Sequence, residues 1–145
     1  MHNFSAHAHT TLTTGFTASS TDATTAWFDM SGYEAVRFLA VIDSTGTPSL
    51  SGYVQVSETS SGASPINVYG STQAFSTGFA ADEALMVWDV YRPSQRYVRL
   101  YIDRGTTGES IPAIITERYR AVRASTAMYD SATVNGITIV RGTSS

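Results

Sequence analysis

The natural bases at neutral pH are His2, His7 and His9, and all three lie in the first nine residues. A Ser-His-Asp relay needs an imidazole held between a hydroxyl and a carboxylate. This polar terminus would have to fold into a site built elsewhere, so the many serines read as strand and loop surface. His7 and His9 fall on one side of an extended segment and, with His2, could begin a metal site. A metal wants three or four ligands on a rigid frame, and solvated histidines are the simpler reading. Glycoside hydrolysis needs two carboxylates at a set separation, and Glu58, Asp82, Glu83, Glu109 and Glu117 are available. Most stand beside Gly, Ser or Thr, which fits solvated loops. Neither Asp43 nor the 103–109 loop has the spaced carboxylates of a calcium loop.

Two absences narrow the chemistry further. With no cysteine, disulfides, thiolate zinc sites and cysteine nucleophiles are excluded. With no lysine, so are a Walker-type phosphate loop, a Schiff base and a Ser-Lys dyad. The expectation is a protein without catalytic residues, cofactor or metal.

The arginines are the remaining chemical signal. Seven of nine fall between 92 and 123, four of them in YRPSQRYVRLYIDRG, residues 91–105. Alternation over 96–103 puts Val98, Leu100 and Ile102 on one face, and Tyr97, Arg99, Tyr101 and Asp103 on the other. Arg118, Tyr119 and Arg120 repeat the composition. Such a face can stack single-stranded nucleic acid, stack sugars, anchor a protein interface, or stay solvated with intra-sheet Arg–Asp and Arg–Glu pairs. A net charge of −3 with 14% charged residues tells against a polyanion. Arginine without lysine favours protein contacts, because arginine is the better cation to desolvate.

These residues need strands to position them. At 145 residues the chain reads as one domain able to bury a core. Strands are expected at 26–30, 34–43, 52–57, 85–91, 96–103 and 113–122, with a short one near 66–69. Pro93-Ser94-Gln95 reads as the turn of a hairpin over 85–103. Asn135-Gly136 reads as the turn of a C-terminal hairpin around 132–140. Residues 1–25 read as an extended polar arm with one edge strand around 11–18, whose core-capable positions are Leu12 and Phe16. Residues 26–145 read as an antiparallel β-sandwich domain, the jelly roll being one form it can take. Trp27 and Trp88 are expected to be mostly buried. No apolar run is long enough to span a bilayer as a helix, and the N-terminal stretch has no basic or apolar region of a signal peptide.

Laid out this way, the body resembles the β-sandwich head decoration (auxiliary or cement) proteins of tailed bacteriophages. The similarity is carried by GYEAVRFLAVID (32–43), GYVQVSETSSGAS (52–64), VWDVYRPSQRYVRLYIDRG (87–105) and IPAIITERYRAV (111–122). The resemblance implies a non-enzymatic virion protein, made in the host cytoplasm and seated on the capsid exterior. Its partners would be itself, as a homotrimer, and the major capsid protein, with no membrane and no direct nucleic acid. Tyr97, Arg99, Tyr101, Arg118 and Arg120 are the candidate interface, and Leu12 and Phe16 the candidate capsid-anchoring positions. A glycan-binding module and a tail or head–tail connector component are the competing readings.

Overall fold

The computed structural model describes residues 4–43, 49–75, 83–106, 108–121 and 128–137. After a 3₁₀ turn at Phe4–His7 come β1 (His9–Thr13), β2 (Ala23–Thr24), β3 (Phe28–Asp29), β4 (Tyr33–Asp43) and β5 (Ser51–Ser57). They are followed by β6 (Ile66–Asn67), β7 (Gln73–Ala74), β8 (Glu83–Tyr91), β9 (Tyr97–Asp103) and β10 (Ser110–Ala121). The chain is an all-β sandwich of two antiparallel sheets. The first has the order β1-β10-β4-β8; the second runs β2-β9-β5-β6, with β3 also on β9 and β7 also on β5.

Alternation explains the packing. Val36, Phe38, Ala40 and Ile42 of β4 point inward with Met86 and Trp88 of β8 and Ile111 and Ile114 of β10. They meet Val54 and Val56 of β5 and Val98, Leu100 and Ile102 of β9. The Trp88 ring reaches under β5, where a Cβ at Gly52 would come within 2.5 Å of it. Its indole N–H is satisfied by Ser71 O at 3.0 Å, as a buried tryptophan requires.

The expected 85–103 hairpin does not form. β8 pairs with β4 over nine registered positions, and β9 pairs with β5 in the other sheet. The connecting loop is drawn to opposite sheets at its two ends. Arg92 N donates to Glu34 O at 2.7 Å, and the Arg96 guanidinium grips Asp29 through bonds of 2.9 and 2.8 Å. Arg92 takes a φ of 50° to make this crossing.

The N-terminal stretch is also placed differently from a free arm. β1 pairs with β10, β2 with β9, and Phe16 O accepts from Ile111 N at 2.9 Å. Arg104, 4% exposed, explains much of this docking. Its guanidinium donates to the carbonyls of Thr17, Thr21 and Glu109, tying the N-terminal segment to the β9–β10 loop. The edge strand expected at 11–18 lies at 9–13, and the strand expected at 26–30 shrinks to two residues. Segment 113–122, readable as helix or strand, is strand throughout its described part. Residues 134–137 are not in a strand, and 138–140 of the expected C-terminal hairpin lie outside the described residues.

Candidate protein interface

The outward face of the second sheet carries the arginine–aromatic set expected on β9. Register places Ser57, Gln55 and Tyr53 of β5 opposite Tyr97, Arg99 and Tyr101. Arg99 Nε donates to Gln55 Oε1 at 2.8 Å, and Gln55 Nε2 donates to Asn67 Oδ1 at 3.0 Å. The Arg99 guanidinium carbon sits 4.5 Å from the Trp27 ring centroid and 5.7 Å from that of Tyr101. Tyr101 and Tyr53 stack with centroids 5.0 Å apart and planes 14° from parallel. The Tyr101 hydroxyl donates to Asp22, and this bond, with burial, pushes its pKa up to about 12. The rings and guanidinium are therefore ordered before any partner arrives, which lowers the entropic cost of contact.

Trp27 is partly exposed at the surface and Trp88 is 5% exposed, so both rings are mostly buried, as expected. Trp27 owes its place to Gly62, whose φ is 71° and whose missing Cβ leaves room for the indole. One side of the indole is thus against a glycine and its face is under Arg99. With Trp88 buried, the two tryptophans form no exposed platform for a sugar.

Arg118 and Arg120 do not join this face. They lie on β10, in the other sheet, and Arg118 turns inward at the end of the sandwich rather than out to solvent. It bridges the sheets, with Nη1 donating to Asp29 O at 2.7 Å and Nη2 lying 3.0 Å from His9 Nδ1. It also sits 5.0 Å from the Tyr33 ring centroid. Burial pulls the Arg118 pKa down, and burial followed by the Arg118 charge lowers that of His9. Arg120, at a φ of 55°, shares Glu34 with Arg92, at 3.1 and 3.4 Å. Arg37 pairs with Glu117 at 2.9 Å. The solvated, intra-sheet ion pairs weighed from sequence account for Arg37, Arg92, Arg96 and Arg120. Tyr97, half-buried, carries Arg96 5.3 Å from its ring centroid.

The outward face of the first sheet, which the alternation argument does not single out, is apolar over two of its cross-strand rows. One cross-strand row runs Leu12–Ile115–Leu39–Val87, and the next Ala113–Val41–Leu85. Beyond them comes a polar row of Thr10, Glu117, Arg37 and Asp89. Leu12 is half-buried in the apolar row, where it can touch a partner; Phe16 packs against the core and cannot serve as an external anchor without leaving it. Apolar runs that break the alternation, at Phe38–Ile42, Leu85–Trp88 and Ala113–Ile115, are the sequence signal for these rows.

Among the described residues no group of three His, Asp or Glu side chains is placed to hold a metal. No described helix is long and apolar enough to cross a membrane.

No family model matches the chain, and no curated protein matches it. Among solved structures it is similar to the PBSX exported protein XepA, with a TM-score of 0.56 and 16% sequence identity. The match covers 100% of this chain and 46% of that one, so this chain spans less than half the length of its structural neighbour. At this identity the likeness is one of fold.

Proposed function

We propose that this protein is a structural component of a tailed-phage particle, binding assembled shell subunits on the capsid exterior as an oligomer. The observation that carries this reading is the preorganised outward face of Trp27, Arg99, Tyr101 and Tyr53. Arginine and aromatic rings are the residue types that anchor protein contacts, and here they are held by one another instead of by an active site. The fold shared with an exported protein of phage PBSX supports a phage context. The resemblance of the body strands to head decoration proteins supports the capsid exterior.

The mechanism is linkage. A protein that binds the assembled shell and not its free subunits stabilises the shell by RT ln(1 + [L]/Kd), about 2.7 kcal/mol per site at a hundredfold excess over Kd. No bond is made or broken, and the role is non-enzymatic. Partners are the major capsid protein and sister copies, met in the host cytoplasm where the particle is built. The apolar rows through Leu12 and Leu39 give a second surface, so that one face can take the shell and another a sister copy.

Co-pelleting of the purified protein with expanded capsids tests the reading. Saturable binding, weakened at least tenfold by joint Arg99→Ala and Tyr101→Ala substitution, is expected from the loss of two anchors. Binding unchanged by the double variant would move the contact to another face; no binding at all would remove the capsid role. A glycan array distinguishes the carbohydrate reading, for which the covered Trp27 and buried Trp88 leave little platform.

A further inference from the structure

Sheet edges are where β proteins associate, and natural folds defend them with short strands, prolines, charges, bulges or covering segments. Three of the four edges here are managed among the described residues. Both sides of the second sheet end in two-residue strands, β2 and β3 on one and β6 and β7 on the other. The β1 edge is covered by the 128–130 segment, where Thr10 N donates to Met128 O at 3.0 Å and Asp130 N to Thr10 O at 2.8 Å.

Among the described residues the fourth edge, β8, is long and uncovered, with Glu83 and Asp89 as its only charges. It runs nine residues in unbroken register with β4, and among the described residues it pairs with nothing else. It contains no glycine or proline, and its inward positions are Ala84, Met86, Trp88 and Val90. Outward it shows Leu85, Val87 and Tyr91, which are 55%, 42% and 52% exposed. These are three of the six large hydrophobic side chains exposed among the described residues.

We propose that β8 is a homodimerisation edge, pairing antiparallel with β8 of a second copy about a two-fold axis at Val87. Charge selects both occupant and direction. The strand opens with Glu83 and is followed by Arg92, whose guanidinium also pairs with Glu34 at 3.4 Å. Parallel pairing would set acid on acid and arginine on arginine. Antiparallel pairing brings each Glu83 to the second copy's Tyr91 and Arg92. It also sets Leu85 against the second copy's Asp89 and Val87 against the second copy's Val87, so no like charges face each other. The row Leu12–Ile115–Leu39–Val87 then continues into the same row of the second copy. An isologous contact of this kind closes with two copies, which differs from the three-fold ring implied by the decoration-protein resemblance. It goes beyond the capsid reading and is tested on the purified protein alone, so either can fail without the other.

Sedimentation velocity of the full chain is expected to show a dimer. Val87→Lys, which sets two cations face to face at the axis, is expected to give a monomer with an unchanged far-ultraviolet circular dichroism spectrum. Should that variant unfold, the exposed charges provide the test. Glu83→Arg is expected to weaken dimerisation by about tenfold or more, and adding Arg92→Glu to restore it. A monomeric or trimeric wild-type protein, or a charge swap that fails to recover the dimer, would overturn the proposal.

Discussion

Arg99 lies over the indole of Trp27, 4.5 Å from its centroid, while its Nε is fixed by Gln55 Oε1 at 2.8 Å. The side chain that alternation points at solvent is thus held from two directions. A partner would meet a set plane of guanidinium and rings, with most of the ordering already done.

Removing the guanidinium should release the indole. Arg99→Ala is expected to shift tryptophan emission to longer wavelength and to cost about 1 kcal/mol of stability. Arg99→Lys should recover little of either, since an ammonium lacks the flat surface and the fixed fork. Fluorescence spectra with urea melts measure both; an unshifted spectrum for Arg99→Ala would mean that Trp27 is held without it.

Gly62 supplies both the positive φ and the space that Trp27 occupies. Gly62→Ala should strain the backbone and displace the ring, destabilising by about 1–3 kcal/mol and weakening any function of the arginine face. The urea midpoint and tryptophan emission should move together.

Arg104 offers a sharper stability test because it is buried and bonded to three backbone carbonyls. Arg104→Ala leaves those acceptors unpaired at the junction of the N-terminal segment and the β9–β10 loop, at an expected cost of about 3 kcal/mol. Protease cleavage should then appear first near residues 17–21. A cleavage pattern matching the wild type would show that the segment is held by other contacts.

Tyr101 and Tyr119 both have pKa values pushed up to about 12. For Tyr101 the hydrogen bond to Asp22 is the larger cause; for Tyr119 it is burial, followed by the bond to Asp89. Asp22→Asn should therefore lower the Tyr101 midpoint more than Asp89→Asn lowers that of Tyr119. Because the folded values lie above the unfolded value near 10, this stabilisation is full below pH 10 and lost as pH rises towards 12. Ultraviolet titration of the wild type and both variants reads the midpoints.

The strands were legible in the sequence because alternation acts locally. Val98, Leu100 and Ile102 are fully buried and Tyr97, Arg99 and Tyr101 half-buried, as period two requires. Partnership was not legible, because which strand lies beside which is decided by distant residues. Pro93 signalled a turn correctly, yet Glu34 and Asp29 pull its flanks into different sheets. The same non-locality hid Arg118, whose inward turn depends on Asp29 and His9, and the apolar rows, which exist only once β1, β10, β4 and β8 are aligned. Composition alone grouped β9 and β10 arginines that the fold sets on separate sheets.

Electron microscopy of the parent particle decides whether this protein sits on the capsid exterior. Density for this sandwich is expected on the outer surface of the capsid shell, with Trp27, Arg99 and Tyr101 at a subunit contact. Density confined to the tail or connector, or a shell with no copy of the protein on its exterior, would contradict that placement.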